Sequence, residues 1–316
     1  MTKFTLRQIL PRPGFCARAL ASIIAALGTW GAQTPAWACD HQTPFSQIIV
    51  FGDSLSDNGN FFQFTGYPPP PYWEGRFCNG PVWVEYLAED LGMTELLHDY
   101  AVAGATAGRD NSFIPAFGGV QDQMALYFSS STYADPDALY ILWAGHNDIF
   151  IPLFAGGDMD AARIAFVENT KRNINTLWAA GARHILVPNV IDVGKCPSLV
   201  STPYSSYVSG VVAAFNRDLD DALKQLARQR VRPIAVDEFG LVDFVLSHPR
   251  LFGFSNVTGE GKSIYPANPD AYVYWDDAHP TTRAQHLLEQ AALWRLIAAY
   301  PHMLSQGEPV RHDHHP

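Results

Sequence analysis

Short apolar stretches alternate with longer amphipathic segments along this chain, and the alternation constrains its fold more than any other feature. Each apolar stretch is rich in β-branched and aromatic residues, which is typical of a buried strand. The stretches lie at residues 48–51, 96–102, 138–143, 184–187 and 233–236. The segments between them carry apolar residues every three or four positions, as amphipathic helices do. Because parallel neighbours need crossover connections, the pattern predicts an α/β fold: a five-stranded parallel sheet with helices on both faces, a three-layer α/β/α sandwich.

The stretch at 48–59 is also the first candidate for a functional site. Its strand ends abruptly in Gly52, Asp53 and Ser54, a composition typical of turns and helix caps. Ligand sites in parallel sheets form beyond the carboxyl ends of the strands, and a serine placed there can serve as a nucleophile. Ser54 is therefore the nucleophile candidate. A strand followed by a capped turn explains these residues alone equally well.

The N-terminal residues predict export. Four basic residues, no acidic residue before Asp40 and an apolar run at 19–30 precede Ala36-Trp37-Ala38, the small-x-small pattern of a signal-peptidase site. We therefore expect a signal peptide over 1–38, cleaved after Ala38, and a periplasmic or extracellular protein. A lipoprotein anchored at Cys39 is the alternative. No other apolar run is long enough for a transmembrane segment.

Charge argues against nucleic acid as a partner. The formal net charge of −10 becomes −14 when the four basic residues of the signal peptide are removed. An acidic protein repels phosphates instead of releasing counterions from them. The sequence has no internal repeat and no long linker, so residues 39–303 are expected to form one domain. The polar, His-rich tail at 304–316 is expected to be disordered rather than to bind a metal.

Three cysteines remain once Cys16 leaves with the signal peptide: Cys39, Cys78 and Cys196. An oxidising compartment favours disulfides, and an odd number leaves one thiol unpaired. We expect a disulfide between Cys78 and Cys196, because both residues are predicted to lie on loops near the same edge of the sheet.

A serine nucleophile needs a base, and the base needs a partner that orients it. His279 precedes the last predicted helix, and Asp276 lies three residues earlier, within reach of the second ring nitrogen. His286 is the rival base, but it falls inside that helix. The Asp-x-x-His spacing alone also fits a metal-binding pair or a solvated loop.

The oxyanion that forms during acyl transfer needs donors that are already in place. Ser54 N–H, Gly104 N–H and the side-chain amide of Asn147 follow three different predicted strands, so all three should project at one edge of the sheet. Taken singly, Gly104 would be a turn glycine and Asn147 a helix cap. Together with Ser54 and His279 they indicate an acyl-transfer site.

Four ordered motifs resemble those of a known family. They are Gly-Asp-Ser-Leu-Ser-Asp at 52–57, Gly104, Gly-His-Asn-Asp at 145–148 and Asp-Asp-Ala-His-Pro-Thr at 276–281, and they resemble the motifs of the GDSL, or SGNH, hydrolases. The segments at 72–77 and 80–83 resemble the bacterial secreted lipase, phospholipase and acyltransferase branch. The resemblance implies a flavodoxin-like sandwich that needs no metal or other cofactor. It also implies a catalytic triad of Ser54, His279 and Asp276, and an oxyanion hole of Ser54, Gly104 and Asn147.

Two positions depart from the pattern that is usual in this family. His146 stands where a small residue is usual, and it could narrow the pocket or add a donor, while Cys78 stands where the branch often has serine. The aromatic and proline-rich stretch at 61–73 suits either a lip over the ligand or a packing arm. The residues predicted to contact substrate are Asp53, His146, Phe64, Tyr72, Trp73 and Trp275.

We therefore expect a secreted serine esterase or lipase that hydrolyses carboxylic esters, above all lipid acyl esters, through an acyl-enzyme. If an alcohol replaces water, the same site becomes an acyltransferase. The expected partner is an ester substrate, lipid-like or with a small acyl group. A carbohydrate acetylesterase is the alternative enzyme, and a non-catalytic surface-binding module on the same fold is the alternative of another class. The sequence does not predict the oligomeric state.

Overall fold

The computed structural model describes residues 43–304, and a parallel sheet lies at the centre of this part of the chain. Its strands are β1 Ile48–Gly52, β2 Leu97–Asp99, β3 Leu139–Trp143, β4 His184–Pro188 and β5 Ile234–Val236. Their order is β2-β1-β3-β4-β5, and every neighbouring pair is parallel. The predicted five-stranded parallel sheet is confirmed, and its order is that of the flavodoxin-like folds.

Helices cover both faces of this sheet. In chain order they are α1 Asn60–Thr65, α2 Trp83–Asp90, α3 Val120–Tyr127, α4 His146–Ala155, α5 Met159–Ala180, α6 Pro197–Val200, α7 Ser205–Arg228, α8 Glu238–Ser247 and α9 Thr282–Ala299. Successive side chains of β1 point to opposite faces. Val50 lies in one core with Trp83 of α2, and Phe51 lies in the other core with Phe166 of α5. The three-layer arrangement is therefore confirmed.

Capping chemistry accounts for both ends of α5. The Asp158 carboxylate accepts hydrogen bonds from the N–H groups of Asp160 and Ala161, and Gly181 ends the helix at a φ of 124°. Both ends agree with the sequence pattern. In contrast, α4 was not predicted, because its first turn is as polar as a loop. It begins directly after Gly145, which has a φ of 130°, and so carries Asn147 in its first turn.

A second, smaller sheet lies in the last third of the chain. Its strands are β6 Asn256–Glu260 and β7 Tyr272–Tyr274, which pair in parallel. Tyr274 also bridges to Pro280 in antiparallel fashion. The turn at 275–279 therefore closes on itself at the end of β7, just before α9.

Some of the sequence predictions lie outside the described residues. The signal peptide over 1–38, its cleavage after Ala38, the fate of Cys39 and the tail beyond residue 304 all fall there. Among the helices of residues 43–304, none combines the length and the hydropathy needed to cross a membrane.

The predicted Cys78–Cys196 disulfide is wrong, because both residues are free and buried. Cys78 lies in the core with Trp83 on one face of the sheet, whereas Cys196 lies in the core with Phe215 on the other face. The two side chains therefore pack into different apolar cores. Burial raises the pKa of the Cys196 thiol to about 11 and raises that of Cys78 still further above its ordinary value, so both are inert thiols at neutral pH.

Two glutamates are buried between α8 and α9 without a hydrogen-bond partner in the described residues. Glu238 and Glu289 are both 0% exposed, and all four carboxylate oxygens are unpaired within 43–304. His286 Nδ1 is 3.7 Å from Glu289 Oε2, too far for a hydrogen bond. Burial raises the pKa of Glu289 to about 9 and raises the pKa of Glu238 well above its ordinary value. Glu289 is therefore protonated at neutral pH, and burial favours the protonated form of Glu238 as well.

Replacing Glu289 should make the protein more stable at alkaline pH. The unfolded side chain loses its proton near 4.5, whereas the folded one keeps it up to about 9. Between these values the folded state binds more protons than the unfolded state, so the wild-type free energy of unfolding falls as pH rises, by at most about 1.4 kcal/mol per pH unit for this group. Glu289→Gln removes this titration and should be more stable than wild type in urea unfolding at pH 8 but not at pH 4.5. The exposed Glu95→Gln is the control, and an unchanged pH slope in Glu289→Gln would contradict the assignment.

Candidate active site

Ser54 lies two residues beyond β1 in a turn closed by backbone hydrogen bonds. The N–H groups of Ser56 and Asp57 both donate to the carbonyl oxygen of Asp53, at 3.0 Å each. The turn places Ser54 between the ends of β2 and β3, where the strand order of the sheet reverses. This is the position at which open parallel sheets bind their ligands.

Gly52 and Gln123 fix the start of this turn. A Cβ atom on Gly52 would lie 2.7 Å from the carbonyl oxygen of Trp143, so only glycine allows β1 and β3 to approach this closely. The buried side chain of Gln123, on α3, accepts from Gly52 N–H at 2.9 Å and donates to the Gly52 carbonyl at 2.8 Å. The sequence did not predict this role for Gln123, since a single Gln on a helix carries no recognisable signal.

His279 and Asp276 lie on the closed turn that follows β7. The N–H of Trp275 donates to the carbonyl oxygen of His279 at 2.7 Å, which brings the ends of the turn together. Asp276 Oδ1 accepts the backbone N–H groups of Ala278 at 2.9 Å and of His279 at 2.7 Å. The carboxylate is therefore held by the same turn that presents the imidazole.

The three residues predicted as a triad lie in one hydrogen-bonded line. His279 Nε2 is 2.8 Å from Ser54 Oγ, and His279 Nδ1 is 2.9 Å from each oxygen of Asp276. An ionised carboxylate can only accept, so Nδ1 carries the proton and Nε2 presents its lone pair to the serine hydroxyl. This is the tautomer that a general base for Ser54 requires.

Electrostatics favour charge separation between Asp276 and His279. Burial alone would raise the pKa of Asp276, but the neighbouring His279 and the hydrogen bonds to the carboxylate outweigh it and hold that pKa well below its ordinary value. Burial would likewise lower the pKa of His279, but the Asp276 carboxylate outweighs it and raises that pKa above its ordinary value. The imidazolium that forms when His279 takes a proton is thus stabilised.

The three predicted oxyanion donors lie in the segments that follow β1, β2 and β3. Within residues 43–304, the N–H groups of Ser54 and Gly104 donate to no protein acceptor. Gly104 has a φ of 86°. The Asn147 amide donates one hydrogen to the carbonyl oxygen of Ala105 at 3.1 Å, which leaves its second hydrogen available. Its Oδ1 accepts from the Ser112 hydroxyl at 2.7 Å, and this bond fixes which end of the amide is the donor.

Asp57 connects the nucleophile turn to the loop that carries Gly104. Its carboxylate accepts the backbone N–H groups of Gly59 and of Ala103, each at 2.8 Å. Burial outweighs these bonds and raises the pKa of Asp57 to about 6. Because one side chain binds both segments, the N–H groups of Ser54 and Gly104 are held in a fixed relation to each other.

Asp53 and His146, two of the residues predicted to contact substrate, are buried and bind each other. They are 1% and 5% exposed, respectively, and His146 Nδ1 is 2.9 Å from Asp53 Oδ2. His146 Nε2 accepts the N–H of Ile191 at 3.3 Å, so Nδ1 is the protonated nitrogen and donates to Asp53. The pair ties the residue before Ser54 to α4 and to the segment after β4.

The predicted aromatic contacts divide into buried and exposed side chains. Trp275 is fully buried and packs edge to face against Tyr72. The hydroxyl of Tyr72 donates to Asp276 Oδ2 at 2.8 Å. Trp73 is half-buried beneath the guanidinium of Arg76, 4.8 Å from its ring centre. Phe64 is 75% exposed and is available to a ligand.

The remaining candidates lie away from this chemistry. His286, the rival base, packs its ring against Tyr86 at 4.9 Å and makes no contact with Ser54. In the part of the chain that the structure describes, no group of three or more His, Cys, Asp or Glu side chains could hold a metal ion. Ser112, like Gln123, was missed by the sequence analysis, because its role follows only from the fold of the loop at 103–119.

The chain belongs to the GDSL-like lipase and acylhydrolase family, whose family model matches residues 48–291. It is 37% identical over 198 residues to the phosphatidylcholine-sterol acyltransferase of Aeromonas hydrophila, covering 60% of this chain and 58% of that protein. It is 25% identical over 275 residues to the thermolabile hemolysin of Vibrio parahaemolyticus, covering 78% of this chain and 63% of that protein. The chain thus spans less than two thirds of the length of both relatives. A GDSL-like lipase from Parabacteroides merdae of known structure aligns over 80% of this chain and 96% of its own, with 14% identity and a TM-score of 0.49.

Replacing Asn147 should reduce turnover more than substrate binding. If its free amide hydrogen meets the oxyanion, Asn147→Ala should lower kcat by about 10²- to 10³-fold with little change in KM. Ser112→Ala should lower kcat by about tenfold, since it removes only the bond that orients the amide. Steady-state kinetics on a chromogenic ester would measure both. The exposed Ser131→Ala, whose hydroxyl contacts only the backbone of Tyr133, is the control, and a wild-type kcat in Asn147→Ala would exclude it from the oxyanion hole.

Proposed function

We propose that this protein is a serine esterase that hydrolyses carboxylic esters, chiefly lipid acyl esters, through an acyl-enzyme. The observation that carries the proposal is the line from Ser54 through His279 to Asp276, with contacts of 2.8 and 2.9 Å, beside N–H donors that have no protein acceptor in the described residues. Membership of the GDSL-like lipase and acylhydrolase family supports the same conclusion.

In the first half-reaction, Ser54 Oγ attacks the ester carbonyl carbon while His279 Nε2 takes the hydroxyl proton. Asp276 holds the imidazole in the required tautomer and stabilises the imidazolium. The negative charge that develops on the carbonyl oxygen meets the N–H groups of Ser54 and Gly104 and the amide of Asn147. When the tetrahedral intermediate collapses, the carbon–oxygen bond to the alcohol breaks and His279 returns the proton to that alcohol.

In the second half-reaction, water replaces the alcohol. His279 takes a proton from the water as it attacks the acyl-enzyme, the same donors hold the second oxyanion, and Ser54 regains its proton from His279 as the carboxylic acid leaves. If a bound alcohol attacks instead of water, the product is a new ester. Similarity to a phosphatidylcholine-sterol acyltransferase supports a test of this second outcome.

Aromatic side chains next to His279 support an apolar acyl group. The Phe77 ring lies 5.0 Å from the His279 ring, and Phe113 stacks on Phe77 at 5.7 Å with an interplanar angle of 8°. Phe113 is 50% exposed, so this apolar surface runs from the catalytic imidazole to the solvent. Phe61 and Phe117 extend it to the exposed Phe64. Such a surface suits a hydrocarbon chain better than an acetyl group on a sugar.

A series of chromogenic esters from acetate to palmitate would test this function. We expect maximal kcat/KM at medium or long acyl chains, and a loss of about 10⁴-fold or more in Ser54→Ala, because the nucleophile is removed. The serine variant should unfold like wild type and fail to react with a fluorophosphonate probe.

The outcomes of this series separate the alternatives. A sharp preference for acetate would favour a carbohydrate or small-ester acetylesterase over a lipase. Addition of a sterol or a long-chain alcohol would reveal acyl transfer as a new ester product. Turnover that persists in a folded Ser54→Ala protein would contradict the assignment of the nucleophile. Absence of both turnover and fluorophosphonate labelling in wild type would favour a binding module.

We further propose that the protein is exported, on the composition of residues 1–38 and the Ala-Trp-Ala site. When the full chain is expressed in a bacterial host, the intact mass of the protein recovered outside the cytoplasm should begin at Cys39. A lipid-sized mass increase on Cys39 would identify the lipoprotein alternative. A chain that keeps Met1 and stays in the cytoplasm would contradict export, and an Ala36→Leu, Ala38→Leu double variant is the control that should block cleavage.

A further inference from the structure

The Asp276 carboxylate has an outer pair of partners. Tyr72, on the loop between α1 and α2, places its hydroxyl oxygen 2.8 Å from Asp276 Oδ2, and Lys262 Nζ lies 3.0 Å from that hydroxyl. We infer that Tyr72 and Lys262 are positioning residues for His279: Lys262 orients the hydroxyl, the hydroxyl donates to Asp276, and both lower the proton affinity of the imidazole. The kinetic part of this inference rests on the proposed esterase function, whereas the effect on His279 does not.

The direction of each hydrogen bond follows from the groups involved. A lysine ammonium can only donate, and an ionised carboxylate can only accept. The Tyr72 hydroxyl must therefore accept from Lys262 and point its single hydrogen at Asp276. Burial, reinforced by the Asp276 charge, raises the pKa of Tyr72, so the hydroxyl keeps its proton throughout the working range. Tyr72 is thus a permanent donor to the triad carboxylate.

Packing holds Tyr72 and Lys262 in place. The Tyr72 ring meets Trp275 edge to face at 5.9 Å and Phe77 at 6.1 Å. The backbone N–H of Lys262 donates to the carbonyl oxygen of Trp275 at 2.8 Å. Lys262 follows β6, and Trp275 and Asp276 follow β7, so the pairing of the two strands places the ammonium beside the triad. Lys262 Nζ also lies 4.9 Å from the centre of the Tyr72 ring.

Removal of either group should make His279 a stronger base. The charges that face His279 are those of Asp276, Asp277 and Asp53, and all three raise its pKa. The hydrogen bond from the Tyr72 hydroxyl stabilises the Asp276 carboxylate, so the carboxylate attracts the imidazolium less strongly. The positive Lys262 lies on the far side of that hydroxyl. Without the hydroxyl, Asp276 holds the imidazolium more strongly; without the ammonium, a second positive charge on His279 meets less repulsion. Loss of the Tyr72 hydroxyl and loss of the Lys262 ammonium should therefore both raise the pKa of His279.

The experiment compares Tyr72→Phe, Lys262→Met and wild type by two readouts. One is the titration of the His279 ring by NMR in the resting protein, assigned by its absence in His279→Gln. The other is the pH profile of kcat/KM on the preferred chromogenic ester. Both variants should move the His279 titration and the acid limb upward by about 0.5 to 1 pH unit, and Tyr72→Phe should lower kcat by about tenfold at its own optimum.

Matched variants separate positioning from simple packing. Tyr265→Phe removes a hydroxyl from a ring that packs on the same Trp275, at 5.8 Å, and should change neither readout. Lys262→Arg keeps the charge and a donor and should restore the wild-type titration. Lys224→Met removes an exposed ammonium that pairs with Asp220 of its own helix, and it controls for net charge.

The two readouts distinguish failure of this inference from failure of the proposed function. If wild type hydrolyses esters but neither variant moves the His279 titration, the inference is overturned and the esterase stands. If wild type hydrolyses no ester but both variants raise the titration point, the inference holds and the proposed function fails. A loss of stability in Tyr72→Phe with an unmoved titration would show a purely structural role and would also overturn the inference.

Discussion

The pairing of β1 with β3 is the constraint on which the active site depends. The two strands match over their whole length, from Ile48 opposite Leu139 to Gly52 opposite Trp143, and a glycine at position 52 is needed for their ends to lie this close. Because β2 lies on the other side of β1, the segments that leave all three strands meet at one edge of the sheet. Ser54, Gly104 and Asn147 each follow one of these strands, so the sheet brings the nucleophile and the predicted oxyanion donors together before any side-chain contact is considered.

The base comes from a different part of the chain, and a local turn positions it instead of the sheet. His279 and Asp276 come from a short turn that closes on itself, and the turn is fixed at one end by β7 and at the other by α9. The local turn sets the distance between imidazole and carboxylate, whereas the packing of the turn against the sheet sets the distance from imidazole to Ser54. A disturbance of the small sheet of β6 and β7 would therefore affect the second distance more than the first.

This division explains how much could be predicted from the sequence. Strands, most helices and the triad were predictable because each depends on residues close together in the chain or on a short motif that the family shares. The contacts of Gln123, Ser112 and Tyr72 were not, because each joins segments that are remote in sequence; Tyr72 and Asp276 are 204 residues apart. The disulfide prediction failed for a related reason: both cysteines lie on loops beyond the strands, but the pattern could not show that their side chains pack into different apolar cores.

Burial alone does not explain why Asp276 is the carboxylate that stays ionised. Glu289 is buried without a hydrogen-bond partner in the described residues, and its pKa rises to about 9. Asp57 is buried with several backbone N–H donors, yet its pKa still rises to about 6. Asp276 has backbone donors as well, but it alone of the three also hydrogen-bonds to an imidazole, and its pKa falls. The nearest imidazole to Glu289, that of His286, lies 3.7 Å away, too far for a hydrogen bond. Neutral donors only reduce the rise in pKa that burial causes in a carboxylate, whereas a hydrogen-bonded titratable partner turns that rise into a fall. In this protein, the charge that catalysis needs is therefore maintained by the base it serves.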